Sequence, residues 1–156
     1  MRRSEKEIRS RAKIEEILQR ESVLYLGLVD NGQPYVVPMN FGFADGCLYL
    51  HSALEGRKME VLKRNPQVSF AVVTDAAVVP NDIACHSSAR YRSVIGFGRV
   101  SFLAEPADKI KALETLMRKF APGPFTFDDG ALAKTVALKI TIESMTGKQA
   151  GEVDSI

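Results

Sequence analysis

The chain has few of the residues that build metal sites or disulfide networks. Its 156 residues include only two cysteines and two histidines. Two cysteines do not make a disulfide framework, and Cys47 lies in an apolar segment, which favours a buried free thiol. Cys47 and His51 are distant in sequence from the adjacent Cys85 and His86, and neither a CxxC nor an HExxH motif occurs. The sequence therefore predicts no metal site.

Long apolar runs and a strong charge excess are also missing. No apolar stretch reaches the ~20 residues of a transmembrane helix, and the N-terminus, Met-Arg-Arg-Ser-Glu-Lys-Glu, lacks the apolar core of a signal peptide. We therefore expect a cytoplasmic protein with no membrane partner. The formal net charge of +2 is too small to indicate a nucleic-acid partner by itself, although the basic N-terminal segment leaves that alternative open.

Most of the chain consists of short apolar segments separated by turn residues. The dipeptides Asn31-Gly32 and Asp45-Gly46 are typical of tight hairpins, so the first three strands should form an antiparallel meander. Gly96 and Gly98 predict a bend or bulge, and Thr74–Ser88 should be a loop. This pattern predicts a small antiparallel barrel of six or seven strands. The predicted strands are Ser22–Val29, Pro34–Phe43, Cys47–His51, Val68–Val73, Tyr91–Leu103 and Thr135–Glu143.

Three segments have helical periodicity. The first, Ser4–Arg20, has capping-box spacing between Ser4 and Glu7. The second begins near Arg57 and ends before Pro66. The third begins at Pro106, where the missing N–H of proline costs little, and continues towards Pro122. These helices should flank the barrel.

The stretch from Gly46 to Pro66 has the strongest functional pattern. A buried strand ends with His51 and Ser52, Gly56 breaks the chain, and Arg57 and Lys58 begin the helix. A helix N-terminus offers unpaired N–H groups and a partial positive charge, and two cations beside it suit a phosphate dianion. The alternative is that these cations only form a solvated helix face.

A proline interrupts the second predicted strand. Because proline cannot donate to a β-ladder, this segment should be an edge strand, a bulge, or a surface beside a ligand. In the last case a flat ligand would lie against backbone groups that no ladder uses. The residues concerned are Val37, Pro38, Met39 and Asn40.

Several separated motifs together resemble one family, the FMN-binding split-barrel proteins related to pyridoxamine phosphate oxidase. Within it the chain most resembles the nitroimidazole-resistance, or Nim-type, branch. The similarity extends in register over residues 1–148, so we expect one split β-barrel domain there and a C-terminal tail at 149–156. The motifs are Met1–Ile8, Tyr49–Met59, Arg64–Phe70, Tyr91–Arg99 and Ile142–Lys148.

This resemblance implies a homodimer with two FMN sites at the subunit interface. It assigns Arg57 and Lys58 to the FMN phosphate, and His51 and Ser52 to the ribityl chain and phosphate. The segment 37–40 would line the isoalloxazine ring.

Two positions and one segment depart from the oxidase pattern. Arg92 and Ser93 match an Arg-Gln pair of the oxidase, so these cofactor-binding positions lack the amide. The oxidase's C-terminal substrate-binding segment, with its Trp and Arg, has no counterpart, and the chain has no tryptophan. Oxidation of pyridoxamine phosphate is therefore not expected.

The resemblance leaves two function classes open. His51 occupies the position of the branch's active-site histidine, where an imidazole could supply the proton that reduction of a nitro or quinone-like substrate requires; it could equally only hydrogen-bond the cofactor. One class is an FMN-dependent oxidoreductase acting on a small electron-poor molecule, with NADH or NADPH as donor. The other is a flavin- or haem-binding module without turnover.

Overall fold

The computed structural model describes residues 3–152, and about half of them lie in one antiparallel sheet. A 3-10 turn, Ser4–Lys6, precedes the first strand, and another, Ala84–His86, lies between β6 and β7. The strands are β1 (Glu7–Ile8), β2 (Val23–Asp30), β3 (Gln33–Asn40), β4 (Gly42–Ala44), β5 (Cys47–Ala53), β6 (Gln67–Val79), β7 (Ser88–Leu103) and β8 (Thr135–Ala150). The helices are α1 (Arg11–Arg20), α2 (Arg57–Arg64), α3 (Pro106–Met117) and α4 (Asp129–Ala133).

The strand order is β3-β2-β6-β7-β8-β5-β4, and β1 also pairs with β8. The two predicted hairpin turns are confirmed. Asn31 and Gly32 have φ angles of 51° and 85°, and Asp45 and Gly46 have 52° and 70°, as expected for turns that require left-handed backbone at both central residues. The mainly β, split-barrel fold class is therefore confirmed, with eight strands where six or seven are predicted, because the short strands β1 and β4 are separate elements.

The core lies inside the curved sheet and is closed by helices. It is built from the alternate, inward side chains of the strands and from the apolar stripes of α1 and α2. Helix α3 packs on the other face of β5, where Ala112 meets Cys47 and Tyr49. Cys47 is a buried free thiol, as predicted, and Cys85 is exposed.

The glycines of β7 mark the predicted irregularity. The register of β7 against β8 shifts between Phe97 and Gly98. A side chain at Gly96 would collide with the Phe70 ring, and one at Gly98 would meet the Thr141 carbonyl. The strand can therefore bend closely over the core only because both positions lack a Cβ.

Two predicted segments are wrong. The N-terminal helix begins at Arg11, not Ser4, because Ser10 accepts the capping hydrogen bond from the Lys13 N–H, at 3.4 Å. The loop predicted at Thr74–Ser88 is strand as far as Val79, because β6 continues past a bulge after Thr74 and pairs again with the start of β7.

The end of β8 also differs from the sequence-based bounds. This strand continues to Ala150, where it pairs with Tyr91. Residues 153–156 of the predicted tail lie outside the described part of the chain. Between residues 3 and 152, no helix has the length and apolar character needed to cross a membrane.

Candidate functional site

The N-terminus of α2 presents a cluster of cations at the surface. Gly56 precedes the helix with a φ of 116° and has no side chain to cap it, so the first N–H groups are left for water or a ligand. Arg57 and Lys58 are the first two helical residues. The helix start is thus where the sequence predicts it, and both predicted cations lie there.

Arg57 is held in place by residues from the β2–β3 hairpin. Its Nε donates to Asp30 Oδ2 at 2.9 Å, and its guanidinium lies 4.5 Å from the centre of the Tyr35 ring. Arg64, at the other end of α2, donates to Asp30 Oδ1 at 2.8 Å. Because Asp30 takes the Nε edge, the outer Nη edge of Arg57 stays available to a second anion.

Lys58 and His51 lie close enough to influence each other. Burial lowers the pKa of the Lys58 ammonium. Burial, and then the positive charge of Lys58, lowers the pKa of His51 below its usual value. In the part of the chain that is described, no carboxylate forms an ion pair with Lys58. An anion bound here would relieve the repulsion between the two groups.

His51 and Ser52 point to opposite faces of β5. Ser52 is buried on the core side, and His51 is exposed, because successive strand residues alternate between faces. The preceding residues are buried on both faces, whereas the imidazole lies at the rim. The two side chains therefore cannot approach one ligand from the same side.

The predicted ring-lining segment lies in an edge strand. Strand β3 ends the sheet path, which explains how Pro38 fits, opposite Tyr25 of β2. Val37 and Met39 turn towards the core, while Pro38 and Asn40 are exposed on the outer face. Only these two outer side chains, together with the strand's free backbone edge, could contact a ligand outside the sheet.

Arg92 and Ser93 also face opposite sides of their strand. Arg92 is buried, and its Nη2 lies 2.7 Å from Asp75 Oδ2. Arg20 reaches the same carboxylate at 2.9 Å. Although burial opposes it, hydrogen bonds from Arg92 and Arg20 lower the pKa of Asp75. Arg92 thus stabilises the β6 bulge, and Ser93 is the member of the pair that faces outward.

The two halves of the predicted site are far apart within one chain. His51 pairs with Ala137 near the start of β8, whereas Arg92 pairs with Gln149 near its end. Twelve residues of extended strand at ~3.3 Å per residue correspond to at most about 40 Å, because β8 curves with the sheet and its pairing with β7 shifts after Phe97. One copy of the chain therefore does not bring the α2 cations and Ser93 to the same small ligand.

The outer face of the sheet is apolar over β2, β3, β6 and β7. Tyr25 lies opposite Pro38 and Ala71, and Ala71 lies opposite Ile95, so the side chains form continuous rows across the strands. We call this surface the apolar face. Its large members, each 42–60% exposed, are Val23, Tyr25, Val36, Val73, Ile95 and Phe97. A contiguous exposed apolar patch of this kind marks an interaction surface.

A groove of about 540 Å³ lies at one end of the apolar face. Its floor contains Val73, Ser93 and Ile95, and its wall is the ribbon formed where β6 and β7 extend beyond β8. The lining is largely apolar, and its polar residues are Arg90, Tyr91 and Ser93. This combination suits a flat, mostly apolar ligand that bears one or two polar atoms.

Sequence reasoning missed the residues that hold the cations. Asp30 is 27 positions before Arg57, and Asp75 is 17 positions before Arg92. No local pattern links such pairs. The register of the hairpins is the signal that could have found them, because it places the end of β2 beside α2 and the β6 bulge beside β7.

Comparison with known proteins supports one family over nearly the whole chain. The family model described as pyridoxamine 5'-phosphate oxidase matches residues 10–149. No curated protein sequence matches the chain.

Solved structures agree with this match. A candidate 5-nitroimidazole antibiotic resistance protein from Bacteroides thetaiotaomicron is 35% identical, with 92% of this chain and 86% of that chain covered and a TM-score of 0.83. A FAD and heme binding protein from Mycobacterium smegmatis is 26% identical, with 97% and 77% covered and a TM-score of 0.84. A FAD-binding protein from Mesorhizobium loti is 26% identical, with 91% and 96% covered and a TM-score of 0.65. The chain therefore belongs to the pyridoxamine 5'-phosphate oxidase-like family.

Proposed function

We propose that the protein is a homodimeric FMN-dependent reductase of small electron-poor molecules, such as nitro compounds or quinones, with NADH or NADPH as electron donor. The observation that carries the proposal is the separation of the two half-sites along β8. A second copy, related by a two-fold axis through the apolar face, could bring one copy's α2 cations to the other copy's groove. Each flavin would then lie between the subunits.

The charges at α2 fit the phosphate of FMN. Arg57, Lys58 and Arg64 supply three cations, and among residues 3–152 Asp30 is the one carboxylate that forms ion pairs with them. The surplus of positive charge matches a phosphate dianion. The Nη edge of Arg57 and the ammonium of Lys58 would hold it, and Asp30 and Tyr35 would fix the orientation of Arg57.

The apolar face suits the isoalloxazine ring and excludes water from it. Pro38 and Asn40 would contact the ring from β3, and Ser93 would contact it from the partner's β7. When bound, FMN supplies the transfer of two electrons. The protein's own part is to hold a proton nearby, and His51 can do so because its imidazole lies at the rim beside the proposed phosphate site.

Binding of FAD or haem without turnover is the second candidate. Its support is the similarity to the Mycobacterium smegmatis protein described as binding FAD and heme. Two observations on the purified protein separate the candidates. A flavin gives absorption bands near 370 and 450 nm, whereas haem gives a Soret band, and chromatography of the heat-released chromophore distinguishes FMN from FAD.

The experiment that tests the proposal combines mass and turnover. Light scattering of the flavin-loaded protein should give twice the chain mass of 17.2 kDa. Under anaerobic conditions NADH or NADPH should bleach the flavin, and a nitroaromatic or quinone should restore its colour. A loaded protein of single-chain mass would refute the shared site, and a flavin that no donor reduces would favour the binding module.

A further inference from the structure

We infer that Tyr91, Ser93 and Lys148 form a polar site at the edge of the groove of the apolar face, and that this site binds an oxygen atom of the substrate, such as a nitro or carbonyl oxygen. This inference rests on the proposed function, since the substrate class comes from it. It adds two residues, Tyr91 and Lys148, for which no role has been assigned so far.

Strand register brings the three side chains to one face. Ser93 of β7 lies directly opposite Lys148 of β8, and Tyr91 is two residues before Ser93 on the same side of its strand. Directly opposed residues have Cβ atoms about 5 Å apart, and diagonal neighbours remain within reach of long side chains. Strand β1 fixes Lys148 from its other side, where it pairs with Glu7.

The contact between Lys148 and Tyr91 orients the phenol. The ammonium lies over the Tyr91 ring, 5.6 Å from its centre, so its positive charge is close to the phenol. A hydrogen bond from Lys148, and then the positive charges of Lys148, Lys6 and Arg3, lower the pKa of the Tyr91 hydroxyl. A positive charge close to the phenol makes its O–H a stronger hydrogen-bond donor towards a substrate oxygen.

The groove determines which ligand atoms the Tyr91 hydroxyl can contact. Tyr91 and Ser93 line it together with Val73 and Ile95, so their hydroxyls, with Arg90, are the polar groups of a largely apolar surface. With the flavin ring lying against the apolar part, a flat aromatic substrate stacked on that ring can place one of its oxygens where Tyr91 donates to it. Nitroaromatics and quinones both have this shape and this type of acceptor.

The surrounding charges favour an oxygen that gains negative charge. Lys6 and Arg3 approach from the N-terminal 3-10 turn, Lys148 from β8 and Arg90 from β7. The nearby carboxylates are Glu5, which is paired with Arg3, and Glu7, which is exposed opposite Lys148. The balance is positive, and a donor in such a setting stabilises a developing oxyanion.

Tyrosine titration tests the arrangement without any flavin. The chain contains four tyrosines and no tryptophan, so the absorbance of tyrosinate near 295 nm is free of indole. The difference between wild type and Tyr91→Phe isolates one phenol, which should titrate below pH 10. Lys148→Met should move that titration upward, whereas Lys148→Arg, and Lys134→Met at the opposite end of β8, should leave it in place. A phenol that titrates at or above pH 10 and ignores Lys148→Met would overturn the inference.

Substrate kinetics test the role of the hydroxyl. In FMN-loaded Tyr91→Phe, the KM for a nitroaromatic should rise about three- to tenfold, as expected for one lost hydrogen bond, while the FMN Kd stays within twofold of wild type. An unchanged KM would overturn the inference. Failure of the proposed function would look different, because wild-type protein would then bind no FMN or reduce no substrate.

Discussion

Replacing Lys58 by methionine should weaken FMN binding and leave riboflavin binding unchanged. The change keeps the length of the side chain, removes its charge, and disturbs no ion pair with the residues described, since Lys58 forms none there. Lys58 is also half-buried, so its contact with a phosphate would be poorly screened by solvent. A charge-assisted hydrogen bond contributes about 1.5–3 kcal/mol, which corresponds to a loss of about 10- to 150-fold in affinity.

Arg57→Ala should weaken FMN binding at least as much. It removes one phosphate donor and leaves Asp30 with Arg64 as its remaining partner, so an incompletely neutralised carboxylate would lie near the phosphate. The double variant should lose more than either single variant, although neighbouring groups need not add.

Titration of apo-protein into free flavin, followed by flavin fluorescence, measures both affinities. Lys63→Met is the matched control, because Lys63 is an exposed lysine near the other end of α2. Riboflavin lacks the phosphate, so wild type and variants should bind it about equally. The reasoning is refuted if Lys58→Met binds FMN within twofold of wild type, or if riboflavin binding falls as much as FMN binding.

Three further predictions concern single groups. His51→Gln should retain the flavin and lose a factor of about 10²–10⁴ in turnover, and loss of the flavin, or full turnover, would contradict this role of His51. NMR titration of the imidazole should place the His51 pKa below 6.5 in wild type and higher in Lys58→Met. Asp75→Asn should reduce the free energy of unfolding by about 2–3 kcal/mol in urea melts at pH 7, since Arg20 and Arg92 lose their shared carboxylate; because the Asp75 pKa is lowered in the fold, the wild-type advantage should vanish as the pH falls below ~4. Lys119 donates to the carbonyls of Leu18 and Glu21 at the end of α1, and burial lowers its pKa to about 8. Because the unfolded chain binds that proton more tightly, the free energy of unfolding should rise between pH 8 and ~10.4. The Lys119→Met variant should not show this rise.

Much of the fold could be predicted because its signals are local. The dipeptides Asn31-Gly32 and Asp45-Gly46 require left-handed backbone and adopt it. Gly56 and Pro66 bracket α2, whose first residue is the predicted Arg57. Pro106 begins α3 as expected.

The segments that were missed depend on distant partners. Both Ser4 and Ser10 could cap the first helix. The helix cannot begin at Ser4 because Glu7 and Ile8 pair with β8 as a strand. The bulge after Thr74 interrupts the alternation of inward and outward side chains along β6. The continuation of this strand therefore shows only in its pairing with β7. Pairing between segments that are distant along the chain produces no periodic pattern in the sequence.

The candidate site was predictable in composition and not in arrangement. The residue types at 51–58 indicated an anion site, and the chain does place two cations there. The pairing of Arg92 with Asp75, the inward direction of Ser52, and the distance between the half-sites all depend on which face each strand residue takes. The face that each side chain takes follows from the strand register, and a shift of the register by one residue would turn every side chain to the other face.

The claim that each FMN lies between two subunits is tested most directly by mixing two defective variants. One variant has Arg57→Ala with Lys58→Met and lacks the phosphate half-site; the other has Ser93→Phe, which blocks the groove. The two are unfolded together, refolded and assayed for bound FMN. If the halves belong to different subunits, half of randomly formed dimers are mixed, each has one intact site, and about a quarter of all sites regain FMN. If no FMN returns in the mixture, or if Ser93→Phe alone binds FMN normally, the shared site is contradicted.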